Sequence, residues 1–280
     1  MALSLFGFLL YSLHDVVSKK LLLSGLHVAT LAFFLSCFGI TWQLLLSPYL
    51  GGLKRTFGTK NIKLHLILVV LALPALPAAI FAFANAPMST VYAIFMCAPL
   101  LASLLSIVVL KERSHWLMWV FLLGAFSGVV LALKPGSTAF HIALLGPVYS
   151  VIASAIRNIL IRSSHMHETP LSYMLFLYIG TFLVFMYPAY MVGVVPSLTQ
   201  FLLIMVESML LVSGFISVTL AIRMAPVAYT SGMQYSQIVW GILFGMLIFG
   251  NAPTWNMSAG AAIIVLCGFG LAIQSQRNRY

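Results

Sequence analysis

Charge is what this chain has least of. Only 6% of its 280 residues are charged, and 4 of them are Asp or Glu, whereas 62% are apolar. A soluble domain carries about 25% charged residues, so a water-solvated globule is excluded and an integral membrane protein remains. Cysteine is scarce as well. Cys37, Cys97 and Cys267 lie far apart inside apolar runs, with no CxxC or Cys/His pattern, which excludes a disulfide framework or a zinc site and leaves three small core residues. Walker, GxSxG and HExxH motifs are missing, so no ATP-driven motor and no recognisable hydrolase is encoded. His165 and His167 share a loop with no matching acid or cysteine cluster, and no cofactor or metal is expected. Alternating strand patterns of about ten residues are missing too, which excludes a β-barrel. The first residues lack a basic n-region and an Ala-x-Ala site, and Asp15 interrupts the run, so it is read as a retained span and not a signal peptide. The net charge of +10 would suit nucleic acid, but the bases are scattered one to four per loop without a stripe, and nucleic acid is excluded as a partner.

What is present is apolar sequence of spanning length. Runs lie at 2–22, 29–49, 64–84, 89–110, 115–133, 141–161, 170–192, 199–222, 226–248 and 255–275. Each is close to the roughly 20 residues a helix needs to cross about 30 Å of hydrocarbon. The expectation is an all-α membrane protein of ten transmembrane helices joined by short loops. With the N-terminus cytoplasmic, one side carries Lys54, Arg55, Lys60, Lys63, Lys111, Arg113, Arg157, Arg162, Arg223, Arg277 and Arg279. The other carries Lys19, Lys20 and Lys134. That bias predicts both termini on the cytoplasmic side of a cell inner (plasma) membrane.

A constant offset of 139 residues runs through the chain. It aligns Leu5-Phe6-Gly7 with Leu144-Leu145-Gly146, Leu21 with Leu160, Ser24 with Ser163 and Thr30 with Thr169. It also aligns Ala86-Pro87 with Ala225-Pro226, Leu104 with Leu243 and Trp116 with Trp255. Residues 1–139 and 140–280 are therefore expected to be two five-helix repeats in one membrane domain. Five is odd, so the second repeat is inverted, which is the architecture of alternating-access carriers with a site near the midplane.

Polar groups inside the apolar runs are the candidate site. The first run carries Tyr11, His14, Asp15 and Lys19. Asp15 falls roughly 20 Å along that helix, where an isolated carboxylate costs on the order of 2.5 kcal/mol or more. Lys19 is its i+4 neighbour, in the order that favours pairing. Tyr11, Asp15 and Ser18 share a face that must meet protein or water, either as a packing tether or as a patch in a solvent-filled cavity, and the cavity is favoured. Glu207 is the second intramembrane acid, about 12 Å from the start of the eighth helix, and has no base within a turn, so its partner must come from elsewhere in the fold. Helix 6 carries the stripe Ser150, Ser154 and Asn158, which equally well glues helices together, and Arg157, read as snorkelling to the cytoplasmic surface. Helix 4 offers Tyr92, Met96, Ser103 and Pro99, whose ring frees a backbone carbonyl. Helix 9 offers Tyr229, Met233, Gln234, Tyr235 and Gln237, although aromatics and Met at this spacing are core more often than ligand contacts.

These residues resemble the drug/metabolite transporter superfamily, its EamA-type branch in particular. The resemblance rests on ten helices as five plus five, the Asn85-Ala86-Pro87 link, Pro99, and Lys111-Glu112-Arg113. It also rests on the glycines of helix 5 (Gly124, Gly128) and helix 10 (Gly260, Gly268, Gly270), and on Ala225-Pro226. Two departures are Gly250-Asn251-Ala252, in place of a second basic-acidic-basic link, and Tyr11, where many members have tryptophan. The resemblance implies that helices 1, 3, 4, 6, 8 and 9 surround a substrate cavity while 5 and 10 brace it. The expected protein is a carrier of an amino acid or amine-bearing metabolite. Asp15 and Glu207 would meet a cationic group or proton, Tyr92 and Met96 an apolar body, and Gln237 and Asn158 would donate hydrogen bonds. A nucleoside-bearing metabolite such as S-adenosylmethionine is the alternative. A non-transporting membrane enzyme or scaffold, or a channel, fits less well, because the loops carry no catalytic cluster and no filter segment is visible. The expected partners are a small-molecule substrate and the lipid bilayer, with a coupling proton and a second copy of the chain as candidates.

Overall fold

The computed structural model describes residues 1–59, 61–75, 78, 81–82, 85, 88–112, 115–134, 142–164, 168–250 and 252–277, with side chains omitted at 88–89 and 275–277. Lys60, Ala86-Pro87, Arg113, His165, His167, Asn251 and Arg279 lie outside the described residues. Among the described residues there is helix and no strand. The long elements are α1 (Ala2–Leu23) and α2 (Val28–Leu46), then the short α3 (Leu53–Phe57) and α4 (Ile62–Ala72). They continue with α5 (Met88–Phe95), α6 (Ala98–Leu110), α7 (Trp116–Leu133), α8 (Leu145–Ser163), α9 (Pro170–Val192) and α10 (Leu198–Met224). The last are α11 (Val227–Gly232), α12 (Ser236–Phe249) and α13 (Trp255–Arg277).

Eight stretches are long and apolar enough to cross a membrane: Val28–Tyr49, Thr90–Leu110, Trp116–Leu133, Ile142–Ser163, Pro170–Val192, Leu198–Met224, Val227–Phe249 and Trp255–Gln274. Two of the ten expected spans fall outside that set. In α1 the cluster His14, Asp15, Lys19 and Lys20 dilutes an otherwise apolar helix of 22 residues. The third run is helical over the 11 residues Ile62–Ala72, and of its remainder only residues 73–75, 78 and 81–82 are described.

The ends of these helices are set locally. His27, Asn61, His115 and Thr169 each accept a backbone N–H at the start of α2, α4, α7 and α9. Ser197 and Gln200 form a reciprocal capping box at the start of α10. Two of the expected single helices are broken. The fourth run stops at Phe95 and restarts at Ala98, so Pro99 falls in the first turn of α6, where its missing N–H breaks no helical hydrogen bond. The ninth run is α11, a 3-10 turn Met233–Tyr235, and then α12.

The largest helix–helix interfaces pair α7 with α13, α1 with α10 and α2 with α9. In a bilayer such contacts rest on close packing, because lipid tails are as apolar as leucine. Gly7 and Gly214 supply it between α1 and α10: a Cβ on Gly7 would lie 2.9 Å from the Gly214 carbonyl oxygen and 2.6 Å from Val218. Gly128 does the same for α7 and α13, where a Cβ would lie 2.8 Å from the Gly260 oxygen. Trp42 Nε1 donates to the Met205 carbonyl at 3.1 Å, and Ser208 Oγ to the Leu35 carbonyl at 3.2 Å, fastening α2 to α10.

Candidate functional site

One face of α1, read in steps of three and four residues, runs Ser4, Phe8, Tyr11, Asp15, Lys19, Leu22. Its exposure changes steadily along the helix. Ser4 is 0% exposed and donates to the Thr230 carbonyl at 2.6 Å; Phe8 is 6% exposed; Tyr11 is half-buried. Asp15 and Lys19 are exposed, and Leu22 is 42% exposed. A lipid-facing stripe would be exposed along its whole length, so this face borders a wedge that is shut at the N-terminal end of α1 and open at the C-terminal end. The far wall of the wedge is the broken ninth run. Thr230 closes its base, and Phe249 stands at its mouth, where the Lys19 ammonium lies 4.3 Å from the ring centroid. Asp15 is also within electrostatic range of Tyr92 on α5, itself 40% exposed, and of Glu207 on α10.

The expected Asp15–Lys19 pair is not formed. Lys19 reaches across to Phe249, a cation–π contact worth about 0.5–1 kcal/mol at an exposed site, and among the described residues Asp15 makes no ion pair. Asp15 is left facing the wedge. Glu207 does find a partner from another helix. It is 0% exposed; Ser18 Oγ donates to its Oε1, and His14 Nδ1 lies 3.3 Å from the same oxygen. Its Oε2 is buried without a hydrogen-bond partner. His14 thus lies between the wedge-facing acid and the fully buried one.

The structure places Tyr11, His14, Asp15, Tyr92 and Glu207 around one region, with Lys19 at its rim. Met96 and Met233 are each 6% exposed and belong to a packed cluster with Phe8, Met118, Leu122 and Tyr229. Ser150 and Ser154 donate to carbonyls of their own helix, those of Gly146 at 3.1 Å and Val151 at 2.9 Å. Asn158 and Gln237 are half-buried.

The opposite end of the bundle carries a polar network that sequence reading missed. There the C-terminal ends of α6, α8 and α10 meet the starts of α4, α9 and α11. Arg162 Nε donates to Glu112 Oε1 at 3.1 Å, and its Nη1 to the carbonyls of Ile222 at 3.0 Å and Arg223 at 2.5 Å. Glu112 Oε2 accepts the Val227 backbone N–H at 3.0 Å, at the first turn of α11. Glu168, just before α9, accepts from Thr59 at 2.6 Å and Ser172 at 3.1 Å, with His65 Nε2 at 3.2 Å. Burial pushes the Glu168 carboxyl up, but the hydrogen bonds from Thr59, His65 and Ser172 outweigh it and hold the group below its usual range. Arg223 completes the layer, donating to the Glu168 carbonyl at 2.6 Å with its guanidinium 5.3 Å from the Tyr173 ring centroid. Beneath the network lies a core cluster that includes Leu64, Ala155, Ile159, Tyr173, Phe215 and Ile222. The only advance signal was that Glu112 and Arg162 fall at helix ends; their pairing could not be read from residues 50 apart.

Comparison with known proteins adds direction. No family model matches the chain. Over 228 residues, 78% of this chain and 75% of the relative, it is 25% identical to a riboflavin transporter of Vibrio cholerae. Over 256 residues, 91% of this chain and 85% of the relative, it is 27% identical to an S-adenosylmethionine uptake transporter of Rickettsia conorii. A solved crystal structure superposes with a TM-score of 0.83 at 14% identity, covering 100% of this chain and 98% of the other, so the two share a fold. The chain is thus a multi-span, all-helical membrane protein whose named relatives are transporters.

Proposed function

We propose that this protein is an alternating-access carrier for a small organic metabolite bearing an amine, built from two inverted five-helix repeats and seated in the inner membrane with both termini cytoplasmic. The observation that carries the reading is the graded face of α1, which leads from the wedge mouth at Leu22 down to Asp15 and Tyr11 and stops at the buried Ser4. An unpaired carboxylate midway along a membrane helix is expensive, and a polar path to it is a reason to keep it. Asp15 receives the cationic group; His14 and Glu207 lie behind it; Tyr92 covers the apolar part of the substrate. The Glu112–Arg162 network seals the other end, so this structure is open at the C-terminal end of α1, the outer side under the proposed orientation.

Two features support the repeat. The breaks in the fourth and ninth runs fall at corresponding positions under the offset of 139 residues, and discontinuous helices at matched positions mark the site in inverted-repeat carriers. Exchanging the halves also maps interfaces onto themselves: α7 packs on α13, α2 on α9 and α6 on α11, each a pair of counterparts. The fold resembles the EamA-type carriers, and S-adenosylmethionine fits as well as a free amino acid, since a relative is named for its uptake. Uptake of labelled amino acids, S-adenosylmethionine and riboflavin by proteoliposomes tests the proposal. Accumulation of at least one of them over protein-free vesicles is expected, and wild-type protein that moves none of them refutes it.

A further inference from the structure

Arg157 is a charged group that the wedge has not yet explained. It lies six residues before the end of the 19-residue α8, roughly 9 Å below that end. A guanidinium does not shed its proton in a protein, so burying one without a partner is costly. The two neighbouring arginines are satisfied: Arg162 by Glu112 and two carbonyls, Arg223 by the Glu168 carbonyl and the Tyr173 ring. Arg157 is not. Its Nε is buried with no hydrogen-bond partner, and it enters none of the ion pairs or cation–π contacts among the described residues.

Its position relative to α1 is informative. The Arg157 charge acts on the Tyr11 hydroxyl, so the guanidinium lies within electrostatic range of the wedge face, one helical turn from Asp15. Yet α1 packs chiefly on α10 and α12, and α8 chiefly on α5, α6 and α4. The two side chains therefore approach from helices whose main packing lies elsewhere. An unpaired carboxylate on one wall and an unpaired guanidinium near the other form a site of two opposite charges.

We infer that Arg157 binds a carboxylate of the substrate while Asp15 binds its ammonium, so that the carried metabolite is a zwitterion with a 2-aminocarboxylate head: an amino acid or an aminoacyl compound such as S-adenosylmethionine. The inference rests on the carrier reading above and sharpens it. A guanidinium meets a carboxylate through two parallel N–H···O bonds, a geometry that a lysine or a neutral donor does not reproduce. Riboflavin has no carboxylate and leaves Arg157 unpaired, so the site favours the S-adenosylmethionine-type relatives over the riboflavin-type ones.

The test measures binding and uptake by the full-length protein of the common amino acids, S-adenosylmethionine and riboflavin, each amino compound beside its decarboxylated amine. In wild type, removing the carboxylate should weaken binding at least about tenfold, the scale of a lost charge-assisted pair. Arg157→Gln should bring the parent compound down to the level of its amine without weakening the amine, and Arg157→Lys should keep part of the difference. The wild-type comparison needs no variant to fold, and size-exclusion profiles check the two that are made. An amine that binds wild type as well as its parent overturns the inference, and so does discrimination that survives in Arg157→Gln. Binding in phospholipid-free dodecyl maltoside separates the substrate from a lipid headgroup: discrimination should persist there, and its disappearance assigns Arg157 to a lipid phosphate. Accumulation of riboflavin alone refutes the zwitterion and leaves the carrier standing, whereas accumulation of nothing refutes both.

Discussion

Replacing Glu112 by Gln removes one charge from the sealed end of the bundle while keeping the size of the side chain. In the structure Glu112 accepts from the Arg162 guanidinium at 3.1 Å and from the Val227 N–H at 3.0 Å, so one residue joins α6, α8 and α11. A hydrogen bond to a charged group contributes about 1.5–3 kcal/mol, and the partial exposure of Arg162 places the pair toward the lower end, about 2 kcal/mol. If the network exists only while this end is shut, that free energy is removed from the shut state alone. The equilibrium then moves toward opening by about 30-fold, since 1.4 kcal/mol is a factor of ten. Ala155, buried in the core cluster beneath the network, reports the change once replaced by Cys in a background lacking Cys37, Cys97 and Cys267. A water-soluble thiol reagent applied from that side should modify Ala155→Cys about 30-fold faster in Glu112→Gln than with Glu112 intact. An unchanged rate in a monodisperse protein would refute the latch.

Three further expectations follow from the same geometry. Asp15→Asn should abolish transport at normal abundance, and adding Lys19→Met should not restore it, because Lys19 rests on Phe249 and does not pair with Asp15; transport per folded molecule that recovers in the double variant would return Asp15 to a packing role. Glu168 binds a proton less readily folded than unfolded, so it contributes stability above about pH 4.5 that is lost as pH falls through its lower folded value; melting in detergent should drop over that window in wild type and less so in Glu168→Gln. A side chain at Gly260 would enter the space of the Gly128 carbonyl and Ala132, so Gly260→Val should cost at least 1–3 kcal/mol by overpacking, seen as a lower melting temperature, and a silent substitution would mean the α7–α13 crossing is looser than described.

How far the sequence could be read depended on the range of each interaction. Helices follow from local apolar density, so most expected runs agree with the observed spans to within a few residues. Glu207 lacked a base in its own helix, and that alone required a partner elsewhere; His14 could be named only once α1 and α10 were packed through Gly7 and Gly214. The fourth and ninth runs look continuous because apolarity does not register a change of helix type, although Pro99 marked where one begins. Lys19 misled because i+4 spacing permits a pair without compelling it, and Phe249 lies 230 residues away. Met96 and Met233 show the reverse limit, since a methionine on a polar-bearing helix can face a cavity or a core, and here both face the core. Arg157 was read as snorkelling, and only its orphaned Nε distinguishes it from a surface arginine.

The most direct test of the carrier account is counterflow. Proteoliposomes preloaded with unlabelled S-adenosylmethionine, or with whichever amino acid the uptake panel identifies, should transiently concentrate the labelled compound above its external level. Asp15→Asn vesicles with the same amount of folded protein should not. Labelled compound that merely equilibrates at a rate independent of the preload would indicate a channel, and counterflow that persists in Asp15→Asn would remove the wedge on α1 from the transport path.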